Sequence, residues 1–141
     1  MRIRYMGKVV LSMALLIAGG GIYLLQRTTS LLMFRLVDIL GMTHRVEEIR
    51  ASAVAMPEFL VFSLPGGLWS ASYVLLVDAV MAGQPAVTRL AWGALIPMIG
   101  LVSELLQAVG LCPGTADWRD AVCYGVPYLL YVLWVKVAAG Y

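Results

Sequence analysis

Ser103 to Gly125, SELLQAVGLCPGTADWRDAVCYG, sets Glu104, Gln107, Asp117, Arg119 and Asp120 between two stretches that are otherwise apolar. Glu104 and Gln107 are three residues apart, which puts both on one face of a helix, and Asp117 and Asp120 repeat that spacing. Between them Cys112-Pro113-Gly114 has the composition of a turn. The stretch therefore reads as the end of one apolar helix, a short loop and the start of another. An ionisable side chain on a membrane helix costs ~2.5–3.5 kcal/mol at the bilayer centre, so it faces other helices or water. Glu104 is the best single candidate for a functional carboxylate. Asp117 and Asp120 match an N-cap and an acid in the first turn, where both meet unpaired amides and the positive end of the helix dipole. Arg119 is available as their counter-charge, and Tyr124, four residues after Asp120, shares their face.

The rest of the chain fits that frame. It has 141 residues, 62% of them hydrophobic and 13% charged, with a mean hydropathy of +0.89. An average soluble domain carries roughly 25% charged residues, so an integral membrane protein is expected. The length suits about four crossings of ~20 residues. A net charge of +2 is too small and too dispersed for nucleic acid to be a partner. The expected spans are approximately 9–25, 58–80, 90–107 and 118–137, in one domain over 1–141. Pro97 lies inside the third and should kink it.

Upstream, Arg2, Arg4 and Lys8 precede an uncharged run from Val9 to Leu25 that lacks an A-x-A cleavage site, which reads as a retained first span rather than a signal peptide. Gly19, Gly20 and Gly21 thin that helix, and Ala14 and Ala18 add a small-xxx-small step for close helix packing. From Gln26 to Ser52 the chain is too charged to cross. Leu32, Leu36, Ile39 and Leu40 recur at helical spacing, which suits a helix lying in the interface until Gly41 ends it. His44, the only histidine, is expected on the surface of a second short helical turn. Cys112 and Cys123 have no metal-ligand spacing, and no disulfide between them is expected.

The second apolar region starts at Pro57 and Glu58, where a carboxylate complements a helix start and needs no catalytic role. In SLPGGLWSASYVLLVDAV, Pro65, Gly66 and Gly67 are expected to interrupt the span. Two outcomes are open: a half-helix that frames a pocket, or an interfacial loop with Trp69 in the aromatic belt. Asp78, near the end of the run, is expected at the water boundary.

Glu104-x-x-Gln107, the Pro113-Gly114-Thr115 loop, Asp117-Trp118-x-Asp120 and Tyr124 together resemble the C-terminal signature of VanZ-like proteins, small membrane proteins named for a teicoplanin-resistance protein. LPGGLW at Leu64 to Trp69 is similar to their second-helix region. Thr115 stands where many members carry Arg, Tyr124 stands where they carry Asn, and Arg119 is offset from the family position by four. The resemblance implies an all-α fold: an integral membrane four-helix bundle with an interfacial amphipathic segment between the first and second spans, multi-pass in a bacterial inner membrane, with an envelope role that bears on antibiotic resistance. The expected ligand-binding residues are Glu104, Gln107, Asp117, Arg119, Asp120 and Tyr124. Expected partners are membrane lipids and lipid-linked cell-wall precursors, with a homo-oligomer as an option, and no cofactor or metal.

Three activities fit. The first is binding or shielding of a lipid-linked polar headgroup, with an effect on glycopeptide susceptibility. The second is an intramembrane enzyme acting on a headgroup through Glu104, Asp117 and Asp120, for which the chain has no nucleophile motif. The third is a small ion-coupled transporter subunit, which predicts a carboxylate deep in a span. Orientation is undecided by charge: Arg2, Arg4, Lys8, Arg89 and Lys136 fall on one side of four spans and Arg27, Arg35, Arg45, Arg50 and Arg119 on the other. The cluster flanking the first span favours cytoplasmic termini.

Overall fold

The computed structural model describes residues 2–27 and 32–139; the side chains of Arg2, Arg4 and Leu32, used above, lie outside the described residues. The described chain is all helical: α1 (Arg2–Gln26), α2 (Leu32–Ile39), α3 (Thr43–Ala51), α4 (Glu58–Phe62), α5 (Leu64–Val80), α6 (Ala86–Gly93), α7 (Leu95–Ala108) and α8 (Trp118–Ala139). Three stretches are long and apolar enough to cross a membrane: Tyr5–Gln26, Ala86–Ala108 through α6 and α7, and Trp118–Ala138. Helix α5 is apolar but shorter, and it is central, packing against α1 on one side and α8 on the other and touching α6 and α7.

Burial is inverted relative to a water-soluble protein. Ile17, Ile99, Leu129 and Leu133 point outward, whereas Ser12, Ser63, Ser70, Ser72 and Asp78 are buried. Large exposed apolar surfaces are rare on soluble monomers. Apolar outside and polar inside is the arrangement that lipid rewards, because buried polar groups can find partners only in the protein.

The two proline kinks have one cause. Proline lacks an N–H and its ring crowds the carbonyl four residues back, so where a helix does break, as it does not at Pro127 inside α8, the break precedes the proline. Pro97 removes the bond to Gly93, and α6 gives way to α7 at Ala94 while the flanking bonds Ala94 N–H to Leu90 O (3.0 Å) and Met98 N–H to Ala94 O (2.8 Å) survive. Tyr73 and Tyr128 steady the kink by donating to the carbonyls of Trp92 (2.9 Å) and Leu90 (3.1 Å). Pro65 acts likewise. The break falls at Ser63, and helical bonding resumes at once, so Pro65, Gly66 and Gly67 lie inside the first turn of α5 and do not form a loop. Gly66 and Gly67 serve packing: a Cβ on Gly66 would lie 2.9 Å from the Tyr124 ring, and one on Gly67 3.2 Å from the Cys123 carbonyl of α8.

The α1–α5 contact corrects the reading of the small residues. Ala14 and Ala18 are exposed, and Gly20 and Gly21 face open space. The close approach runs through Ser12 and Gly19. Ser12 and Ser72 hydroxyls each donate to the other's backbone carbonyl at 2.8 Å, and Gly19 lies under the Trp69 ring. Asp78 is also corrected: it is only 3% exposed and is held by Lys8 of α1 and Arg89 of α6. The α2–α3 hairpin turns at Gly41, φ 66°, and is tied to the end of α1 by an Arg50 bond to the Leu24 carbonyl. Leu36, Ile39 and Leu40 of that hairpin are uncovered, and His44 is exposed beside Glu48.

Candidate functional site

Where α1 ends, α4 begins, α7 ends and α8 begins, the helices enclose a cavity of ≈ 780 Å³. All six residues expected to bind ligand, Glu104, Gln107, Asp117, Arg119, Asp120 and Tyr124, line it. The α7–α8 loop fixes how they meet. Glu104 Oε2 accepts the Asp117 backbone N–H at 3.0 Å, and Asp117 Oδ1 accepts the Arg119 N–H at 2.9 Å. The second bond makes Asp117 the N-cap of α8. The first replaces, from a neighbouring helix, the contact that an acid in the first turn makes in a capping box.

Asp120 is thereby released. It occupies the capping-box position, yet its Oδ1 is buried with no hydrogen-bond partner, so the expectation that both aspartates cap the helix holds only for Asp117. Gln107 folds over the loop, donating from Nε2 to Ser103 Oγ at 3.5 Å. It lies so close to Gly114, whose φ is 128°, that a Cβ there would be 2.9 Å from the Gln107 amide carbon. That backbone conformation and that space both require glycine. Tyr124 is wedged between Gly66 of α5 and Gly100 of α7, and the Ser70 hydroxyl donates to its carbonyl at 2.9 Å.

Arg119 departs from its expected part. It makes no ion pair among the described residues, and its guanidinium lies 5.9 Å from the centre of the Trp118 ring. The cation built into the wall is Arg27, stacked 5.5 Å from the Tyr23 ring and 4.6 Å from that of Phe62. Tyr23 in turn packs on Trp69, ring centres 5.4 Å apart. Glu58, Pro65, Gly66 and Trp69 also line the cavity, so the break before Pro65 frames a pocket and Glu58 does more than start a helix. Among the charged residues of the cavity, sequence reasoning passed over Arg27 and gave Glu58 only a helix-start role. The available signal was the four-residue step from Tyr23 to Arg27, which stacks the two on one helix face.

The wall thus carries Glu58, Glu104, Asp117 and Asp120 against Arg27 and Arg119, an excess of negative charge beside aromatic rings. Such a wall can hold a ligand rich in hydroxyl or ammonium donors, with Arg27 placed to meet an anionic group. Among the described residues, no three His, Cys, Asp or Glu side chains converge as metal ligands. Searches of family models, curated proteins and solved structures return no match to this chain.

Proposed function

We propose that this is a VanZ-like, four-span protein of a bacterial inner membrane that binds the polar headgroup of a membrane lipid, in the leading case a lipid-linked cell-wall precursor, and shields it from agents such as glycopeptides. The observation that carries this reading is the convergence of Glu104, Gln107, Asp117, Asp120 and Tyr124 with Arg27 on one cavity at the ends of apolar helices. A lipid-anchored ligand keeps its chain in the bilayer and its head at that depth. Counting α4 and α5 as one kinked crossing completes four spans, and the uncovered Leu36, Ile39 and Leu40 suit α2 to the interface.

Binding is favoured over catalysis because the chain offers no nucleophile motif, and Glu104 and Asp117 are each engaged with a backbone N–H at the start of α8. A transporter reading gains nothing from Asp78, since both its oxygens are engaged by fixed cations.

The test compares cells expressing the native chain, Glu104→Gln or Asp120→Asn at equal membrane levels. Teicoplanin susceptibility is measured, and lipids that co-purify with each protein are identified by mass spectrometry. The expected result is protection and stoichiometric lipid retention by the native chain, both lost in the variants. Conversion of an added lipid-linked precursor to a new headgroup would replace binding by catalysis. Absence of both protection and retained lipid in the native chain would overturn the proposal.

A further inference from the structure

At the opposite end of the helices, the buried Asp78 and the partly exposed Lys8 and Arg89 form an ion cluster that, among the described residues, sets two cations against one anion. Asp78 accepts from Lys8 Nζ through Oδ2 and from Arg89 Nη2 through Oδ1, so both carboxylate oxygens are engaged. Two cations then share one anion in a setting where uncompensated charge is costly. The Arg89 Nε–H is buried with no partner, and the Tyr131 hydroxyl faces the same ions. A buried donor left unpaired costs ~1–3 kcal/mol.

Lys8, Asp78 and Arg89 line a cavity of ≈ 200 Å³ with Tyr5, Gly83 and Trp134. That is below the ~300–1,000 Å³ of pockets for drug-sized ligands and suits a small anion. Guanidinium and ammonium groups side by side are phosphate ligands. Trp134, half exposed at the end of a span, has the placement of an aromatic belt residue, which sets the cavity at headgroup depth. The sequence adds Arg2, Arg4 and Lys136 near the same helix termini, and basic clusters there attract anionic lipid.

We infer that the cavity bounded by Lys8, Asp78, Arg89 and Trp134 is a second binding site, separate from the large one, that takes a phosphate group, either that of an anionic phospholipid headgroup or free phosphate. The anion supplies the missing negative charge and accepts from Lys8 and Arg89, while Asp78 holds the two cations at the spacing that receives it.

The test titrates the purified full chain in a non-ionic detergent with dioleoylphosphatidylglycerol and, separately, with inorganic phosphate. Native mass spectrometry counts bound lipid, and the ³¹P resonance line width follows phosphate. The expected result is one saturable site, weakened at least about tenfold in Lys8→Gln, restored in Lys8→Arg and unchanged in Arg45→Gln, which removes an exposed charge at the other end of the helices. Binding of the lipid alone identifies a headgroup site, and binding of phosphate alone a free-anion site. The inference is overturned if neither probe binds, if Lys8→Gln binds as the native chain does, or if Lys8→Arg does not restore what Lys8→Gln loses.

Discussion

The two ends of this molecule use carboxylates in opposite ways. At the Asp78 end, one carboxylate, 3% exposed, has both oxygens committed to cations from two other helices. At the other end, four carboxylates line a cavity several times larger, and two of them, Glu104 and Asp117, accept from backbone amides at the start of α8. For the carboxylates the contrast separates fastening from recognition, and at the Asp78 end it is the cations that are left to meet a ligand. A buried charge that is fully partnered locks helices together, whereas carboxylates left with free oxygens beside a cavity are available to a ligand.

The sharpest way to break this contrast is to remove one charge from each end. Asp78→Asn takes the one buried anion from the partly exposed Lys8 and Arg89, so the loss should fall at the low end of the about 3–5 kcal/mol typical of a broken buried pair. Glu104→Gln keeps an oxygen that can accept the Asp117 N–H and should cost less than about 1 kcal/mol. Unfolding of the purified variants in mixed micelles, followed by circular dichroism against added denaturing detergent, measures both. Equal losses would mean that the cavity end is also a structural fastening.

The next effect in size concerns the wall between the two ends. A Cβ on Gly100 would clash with the Tyr124 ring, whose Cδ2 would be only 2.8 Å away, and the ring cannot retreat toward Gly66, where the gap is equally filled. Overpacking of this kind costs typically 1–3 kcal/mol. Gly100→Ala should therefore destabilise the chain by about that amount and displace Tyr124 into the cavity, lowering headgroup retention as well. Loss of stability with full retention would show that Tyr124 is a packing residue only.

How legible these features were in the sequence depends on the chain separation of the partners. Glu104 and Asp117 are 13 residues apart and joined by one short loop, so helical periodicity on each side brings them face to face. Asp78 takes its partners from 70 residues upstream and 11 downstream, and nothing local in VLLVDAV signals either. Its place at the end of an apolar run resembles a water boundary, and antiparallel packing of α1 on α5 decides otherwise. Gly19, Gly20 and Gly21 point in three directions about 100° apart, so the triplet announces a close contact without choosing its face; the Trp69 ring chooses Gly19. The kinks were legible as prolines but are displaced toward the N-terminus, because the obstructed carbonyl lies four residues before each ring. Arg27 was only half legible: Tyr23, four residues before it, is a local signal, but Phe62, the other ring it stacks on, belongs to another helix.

The smallest effect tests whether the two duties can be separated within one residue. Asp117 caps α8 through Oδ1 and also contributes charge to the cavity. Asparagine is as good an N-cap as aspartate, whereas alanine has no acceptor, and losing a cap costs typically about 1 kcal/mol. Asp117→Asn should thus unfold with the native chain, and Asp117→Ala about 1 kcal/mol earlier. If the cavity recognises its ligand through charge, both variants lose headgroup retention alike despite their different stabilities. If retention follows stability instead, falling only in Asp117→Ala, then Asp117 acts by holding the start of α8 in place, and recognition rests on Glu104 and on Asp120, whose Oδ1 has no partner within the protein.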